Sequence, residues 1–256
     1  MSGMEPAGLA VGVVGTAALF NNAVECFEYI QLGRNFGKDF GTSQLKLDNA
    51  RLRLSRWGEA IQIYNAESLP PRETRQAGRN IGHILELFAD AEGISKTFRG
   101  TATANTGLAV CDPHADMNEK ALALHKQMRN LALNRQKHAG LTQKTKWALY
   151  QKKHFEELIE NITDLVDGLE KILPAPQATQ SRLCEEEIST IGTQADLPLL
   201  EEVAVEQDPP LVDAIRKVLA EQGRLPGVVF SGANNRGFQL GNNTGTISGF
   251  TFGGKD

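Results

Sequence analysis

The chain has 256 residues, 27 basic against 31 acidic side chains, and a formal net charge of −4. That length holds one large or two modest domains, and the acidic balance argues against a general nucleic-acid binder, which would be basic. Its three cysteines, Cys26, Cys111 and Cys184, are far apart, odd in number and without metal-ligand spacing, so they read as reduced thiols of a cytosolic protein. No secretory leader is expected, because Glu5 stands where such a leader carries basic residues.

The first unusual stretch is Pro6 to Val24, which carries no charge. As a helix it would be about 28 Å long, near the ~30 Å thickness of a bilayer's hydrocarbon core. Leu9, Val13, Phe20, Val24 and Phe27 line one face; Gly8, Gly12 and Gly15 line another. Gly8 and Gly12 form a GxxxG pair, the spacing that lets helix backbones approach closely in lipid. Asn21, Asn22, Glu25 and Glu28 follow at once, so the segment is a marginal membrane helix. For the resting protein it reads as a core helix packed through its small face. A further reading has it packed at rest and inserted in lipid on release, through Gly8, Leu9, Gly12, Val13, Gly15, Leu19 and Phe20.

Helical periodicity continues along the chain. Leu47, Ala50, Leu54, Trp57, Ile61 and Tyr64 share one face, while Lys46, Asp48, Arg51, Arg53, Arg56 and Glu59 read as a solvated face. Pro70-Pro71 breaks the chain, and Ala77, Ile81, Ile84, Leu85, Phe88 and Ala91 make a third helix. Residues 100–107 read as a loop. Asp112-Pro113 is a helix start, Asp as N-cap and Pro at the first position, leading into a face of Met117, Ala121, Leu124, Met128 and Leu131. Trp147 is expected in a shorter helix. Phe155, Leu158, Ile159, Ile162, Leu165, Val166, Leu169 and Ile172 form a strongly apolar helix that Pro174 and Pro176 stop. These segments make a helical bundle over residues 1–173.

Residues 174–222 are acidic and interrupted by proline, and read as a partly ordered connector. Leu183, Ile188 and Ile191 suit a short helix packed on the bundle, and Glu185-Glu186-Glu187 a solvated face. Asp208-Pro209 starts another short helix, with Ile215, Val218 and Leu219 inward.

Residues 223–256 differ in kind. Between Glu221 and Asp256 there is no acid, and glycine recurs at Gly227, Gly232, Gly237, Gly241, Gly245, Gly249 and Gly253. Short apolar β-formers lie between, and Asn234-Asn235-Arg236-Gly237 recurs as Asn242-Asn243-Thr244-Gly245. Three-residue strands gain little in a single molecule. Stacked copies change the balance, because every backbone group then pairs, asparagines form ladders and apolar side chains make dry zippers. Gly and Asn tolerate the turns between such strands. The expected cross-β core is Asn234, Asn235, Gly237, Phe238, Gln239, Leu240, Gly241, Asn242, Asn243, Gly245, Ile247 and Phe250. The plainer alternative is a flexible Gly-rich tail.

No catalytic constellation emerges. His83, His114, His125, His138 and His154 are scattered, and no carboxylate completes a metal set with them. The tail lacks a phosphate-loop lysine, and Gly8 to Gly12 lacks the preceding strand of a dinucleotide fingerprint. The chain is therefore read as a non-enzyme without cofactor. Lys144, Lys146, Lys152 and Lys153 near Trp147 and Tyr150 read as a basic surface face, with contact to anionic lipid as the alternative.

Two resemblances sharpen the reading. Gly237-Phe238-Gln239-Leu240-Gly241-Asn242-Asn243 resembles the core of the RHIM amyloid motif of necroptosis proteins and related pseudo-palindromic motifs of fungal amyloid signalling, with Phe238 where Ile or Val is usual. Leu19 to Arg34, Gln44 to Asp48, Arg53 to Ala60 and Lys144 to Tyr150 are similar, in order, to the HeLo domain of fungal cell-death proteins of the HET-S/HET-s type. The prion-forming repeat of that type is absent, and the RHIM-like segment takes its place. The resemblance implies an all-α HeLo-like bundle followed by a disordered amyloid-forming tail. It also implies a cell-death effector whose partners are an NLR-type receptor bearing a similar motif, further copies of itself in fibrils and membrane oligomers, and membrane lipids. Its expected place is the cytoplasm at rest and the plasma membrane on activation. The alternative is a non-enzymatic adaptor or inhibitor recruited to the amyloid without entering lipid; Glu25 and Asn35 lie where the two outcomes would be decided.

A peptide of residues 225–256 is expected to give a fibre reflection at ~4.7 Å. Proline at Gln239 or Gly241 should abolish it, because proline cannot donate to the ladder. A peptide that stays monomeric under seeding contradicts the cross-β reading.

Overall fold

The computed structural model describes residues 13–65, 69–101, 109–136, 146–191 and 196–223. Gly8, Leu9, Gly12 and the whole expected cross-β core lie outside them. The described helices are α1 Val13–Cys26, α2 Phe40–Ala60, α3 Pro71–Thr101, α4 Pro113–Asp116, α5 Glu119–Asn134, α6 Lys152–Ile172, α7 Gln177–Ile191, α8 Leu197–Ala204 and α9 Pro209–Gly223. Two three-residue strands, β1 Ile30–Leu32 and β2 Trp147–Leu149, and two 3-10 helices, Phe27–Tyr29 and Arg34–Asp39, complete the set. The fold is the all-α bundle expected from the sequence.

α2 is the axis on which the others close. It packs against α1, α5, α6, α7 and α8, and 17 of its 21 residues are buried. A helix buried on every side is a core helix. The solvated face expected of Asp48, Arg51, Arg53 and Arg56 is thus a second buried face, and only Glu59 is exposed there. The reason lies in partners more than a hundred residues away: Asp167 and Glu170 for Arg53, Glu187 and Asp208 for Arg56. Paired and hydrogen-bonded, such charges can sit inside a core.

The helix stops at Ala60, one turn earlier than its apolar spacing suggests. Gln62 takes a left-handed φ of 56°. Its N–H donates to the Glu59 carbonyl, and the Ile63 N–H reaches back to the Gly58 carbonyl at 2.9 Å. This is the paired bond pattern of a Schellman motif, with Gln where Gly is usual.

Around this axis the expected apolar stripes hold. Ala77, Ile81, Ile84, Phe88 and Ala91 of α3 are buried, as are Phe155, Leu158, Ile159, Ile162, Val166 and Leu169 of α6. The helix that starts at Asp112 breaks after one turn. Asp112 caps α4 by accepting from the His114 N–H, and Asn118 caps α5 by accepting from the Ala121 N–H. Trp147 is not helical. It lies in β2, which runs parallel to β1 with Ile30 opposite Trp147 and Leu32 opposite Leu149. Three buried residues are too few to show a period, so the strand was invisible to one. The pair ties the α1–α2 connection to the segment before α6. Gly33 is needed there, since a Cβ would lie 2.6 Å from Cδ1 of Tyr150.

The chain divides into residues 1–215 and 216–256. α7 and α8 belong to the first unit and pack on α2; Leu183, Ile188 and Ile191 are buried as expected. Of the second unit the described part is residues 216–223, the continuation of α9.

Candidate functional site

Two distant parts of the sequence meet α2 between Asn49 and Gly58. The first is α1. Thr16, Phe20, Ala23 and Val24 are its buried face, while Gly15 and Leu19 are half-buried. The buried face of the described part of this helix carries both large and small side chains, and its most extensive packing is against α3; of the small face only Gly15 is described. Against α2, Gly58 leaves a socket for the Phe20 ring: a Cβ at Gly58 would stand 2.2 Å from Phe20 Cζ. Trp57 and Tyr64 flank that ring, with centroids at 6.2 and 6.0 Å. The Tyr64 hydroxyl donates to Asn21 Oδ1, and Gln136 Nε2 donates to the Asn21 carbonyl at 3.3 Å. One group resists the docking. Thr16 Oγ1 is buried without a hydrogen-bond partner among the described residues, which costs about 1–3 kcal/mol.

The second part is Gln207-Asp208, immediately before α9. Asn49, Arg53 and Arg56, spaced four and three residues apart on one face of α2, all hold it. Asn49 Nδ2 donates to Gln207 Oε1 at 3.2 Å and Arg53 Nη1 to the Gln207 carbonyl at 2.5 Å. Arg56 Nη2 forks onto both Asp208 oxygens, and its Nη1 donates to Glu187 Oε2 at 2.6 Å. Arg135 continues the chain of charge, reaching Glu187 Oε1 at 2.5 Å and Glu59 Oε2 at 2.6 Å. Asp208 also caps α9, accepting from the Leu211 N–H at 3.3 Å. Asp208-Pro209 thus starts the last helix as expected.

Burial opposes the charge on Arg56, but the carboxylates of Asp208 and Glu187 outweigh it and hold the guanidinium above the usual arginine range. Burial dominates at Glu187 and lifts its carboxyl above the ordinary value in spite of two arginines. Cys184, 3.2 Å from Arg56 Nη1, is pushed up to about 12 by burial, so its thiol is a packing group. Glu187 is therefore no part of a solvated face, although Glu185 and Glu186 are exposed.

Among the described residues no group of three or more His, Cys, Asp or Glu is arranged to hold a metal ion. No described helix is long and apolar enough to cross a membrane. Of the basic face near Trp147, Lys152 pairs with Asp39 and Lys153 with Glu157. The sequence reading gave no role to Gly58 or Asn49, took Arg53, Arg56 and Glu187 as solvated, and saw Asp208 only as a helix start. The one available signal was the spacing of Asn49, Arg53 and Arg56 on a single face.

Residues 8–200 match the HeLo family model, described as prion inhibition and propagation. The chain belongs to the HeLo family. A second family, the SesB domain on fungal death-pathway protein, matches residues 226–249, the stretch read as RHIM-like; only Phe250 of the expected core falls outside it. Heterokaryon incompatibility protein S of Podospora anserina is 38% identical over 244 residues, 93% of this chain and 83% of the relative. Heterokaryon incompatibility protein s of the same fungus is 36% identical over the same shares. The HET-S N-terminal domain superposes with a TM-score of 0.76 at 37% identity, covering 83% of this chain and 96% of that one. A double mutant of the HET-s N-terminal domain gives 0.74, covering 80% and 98%. The HeLo match runs past Leu173 and takes in α7, in keeping with the helices that close on α2.

Gly58→Ala is expected to destabilise the HeLo bundle by about 1–3 kcal/mol, because the methyl must displace the Phe20 ring. Gly93→Ala on α3, where a Cβ meets nothing within 4 Å, should raise stability by about 0.4–1 kcal/mol. Urea unfolding followed by tryptophan fluorescence measures both. Equal midpoints for Gly58→Ala and wild type would show that the socket is not filled.

Proposed function

We propose that this chain is a fungal cell-death execution protein, released by amyloid templating of its C-terminal motif. It acts by disrupting membranes and carries out no catalysis. The observation that supports this most directly is the shared anchorage on α2: Arg56 grips the residue that starts α9, and the next two positions, Trp57 and Gly58, seat Phe20 of α1.

The sequence of events follows from that anchorage. An NLR-type receptor oligomer displays a motif similar to residues 234–250. The tail of this chain copies its shape and joins the fibril, and each added copy makes the fold self-supporting. The growing fibril pulls on the chain that leads back to Asp208. Once Asp208 leaves, Arg56 is a buried charge short of a partner, and the end of α2 loosens. Phe20 then loses its socket.

The energetic scale is modest. Removing one partner of a buried pair costs about 3–5 kcal/mol, and each large apolar side chain lost from the core about 1.5–3 kcal/mol. Lipid offers the uncharged Pro6–Val24 stretch a second apolar environment, and Thr16 loses nothing there that it had in the bundle. Gly8 and Gly12 then serve as the close-packing seam between copies. The protein rests in the cytoplasm and moves to the plasma membrane on activation. A second reading, a non-inserting adaptor or inhibitor, draws on the depth at which Phe20, Ala23 and Val24 are buried.

The test is dye release from anionic liposomes after seeding with preformed tail fibrils. Full-length protein should leak dye, and a chain starting at Glu25 should not. Equal leakage from the two overturns the insertion step; fibrils without leakage from either favour the second reading.

A further inference from the structure

A second site lies away from the α1 seat, where β1, α2, α5 and the segment before β2 meet. A pocket of about 360 Å³ opens there, lined among others by Glu28, Asp48, Arg51, Lys126, Arg129 and Lys146. Its floor holds an incompletely paired cation. Arg51 is 2% exposed, and of its guanidinium nitrogens only Nη1 is engaged, on Glu28 Oε1. Nε and Nη2 are buried and have no hydrogen-bond partner among the described residues.

The acids nearby are already committed. Arg129 grips Glu28 through Nε at 2.8 and 3.0 Å and through Nη2 at 2.5 Å, so two arginines share one carboxylate. Asp48 is taken by His125 Nδ1 at 2.6 Å and by Gln44 Nε2 at 3.3 Å. Burial lifts the Asp48 carboxyl above its ordinary value and lowers Arg51 below its own, the mark of charges short of compensation. At the rim Lys126 and Lys146 are exposed; neither makes an ion pair with a described residue.

The geometry points to an anion site, and we propose that this pocket binds a phosphate monoester, with Arg51 on its floor and Lys126 and Lys146 at its mouth. Arginine N–H groups are donors only, so the missing partner must supply acceptor oxygens. Nε and Nη2 form one edge of the guanidinium, and that edge matches two oxygens of one phosphate. Water could satisfy those donors but brings no charge to set against Lys126 and Lys146. The remaining phosphate oxygens face the rim lysines, which suit it as point charges. The same chemistry is carried by a soluble sugar or inositol phosphate and by a phosphorylated lipid headgroup. The site is independent of the proposed release of α1.

The test uses the full chain. Glycerol 2-phosphate is titrated against sodium chloride of equal ionic strength, with thermal unfolding and calorimetry as readouts. The ester should raise the midpoint and bind saturably, and Lys126→Glu combined with Lys146→Glu should weaken that binding at least tenfold. Arg51→Met should abolish it; the exposed lysine pair keeps the test sound if that variant does not fold. Vesicles of phosphatidylcholine with and without phosphatidylinositol 4-phosphate then separate the sources. Sedimentation with the phosphorylated vesicles alone, reversed by the soluble ester, assigns a lipid headgroup. Ester binding without sedimentation assigns a free phosphate. A midpoint that follows ionic strength alone, or the same affinity in the double lysine variant, overturns the proposal.

Discussion

Arg56 is the constraint on which the rest of the bundle depends. It is fully buried on the central helix and is held by two carboxylates that come from 131 and 152 residues further along the chain. A buried pair of this kind adds little net stability over an apolar replacement, but breaking it from one side is costly. Its effect is therefore to fix position. With Asn49 and Arg53 it dictates where Gln207 and Asp208 must lie, and hence where α9 begins. Arg135 and Glu187 extend the same constraint to α5 and α7.

In the proposed release, the constraint matters through its neighbour in sequence. Trp57 and Gly58 follow Arg56 directly, and they seat Phe20 of α1, a helix that otherwise packs mainly on α3. Trp57 also donates its indole N–H to the Leu173 carbonyl at 3.1 Å, which ties the end of α6 to the same turn. One turn of helix thus gathers the first helix, the end of the apolar helix before Pro174 and the entrance to the last helix. Core packing transmits such displacements as discrete rearrangements, because close-packed interiors have little room to deform gradually.

Much of the bundle was legible in the sequence because α3 and α6 have one apolar face each, and a period of 3.6 reports such a face directly. α2 was misread for the opposite reason. Its charged positions are buried too, and the partners that neutralise them, such as Glu187 and Asp208, sit far away in a stretch that looks like an acidic connector. Nothing in a single sequence marks Glu187 as buried between Glu186 and Ile188. Trp147 was placed in a helix because a three-residue parallel strand has no period of its own. In α1 the glycines suggest a close-packing face, of which Gly8 and Gly12 lie outside the described residues; what the sequence did not reveal is that Phe20 sits in a socket left by a glycine of α2. The tail residues from Asn234 to Ile247 rest on composition, repeat and family match, and Phe250 on composition and repeat.

The coupling between the two ends of the chain can be measured by hydrogen exchange of the full-length protein carrying Asp208→Asn, which keeps shape and cap but removes the charge facing Arg56. The account predicts that α1 amides from Thr16 to Val24 exchange at least tenfold faster, with a smaller change in α6, while Asp39→Asn at an exposed pair leaves both unaltered. If α9 amides accelerate and those of α1 keep their wild-type rates, the two ends are held independently and the account fails.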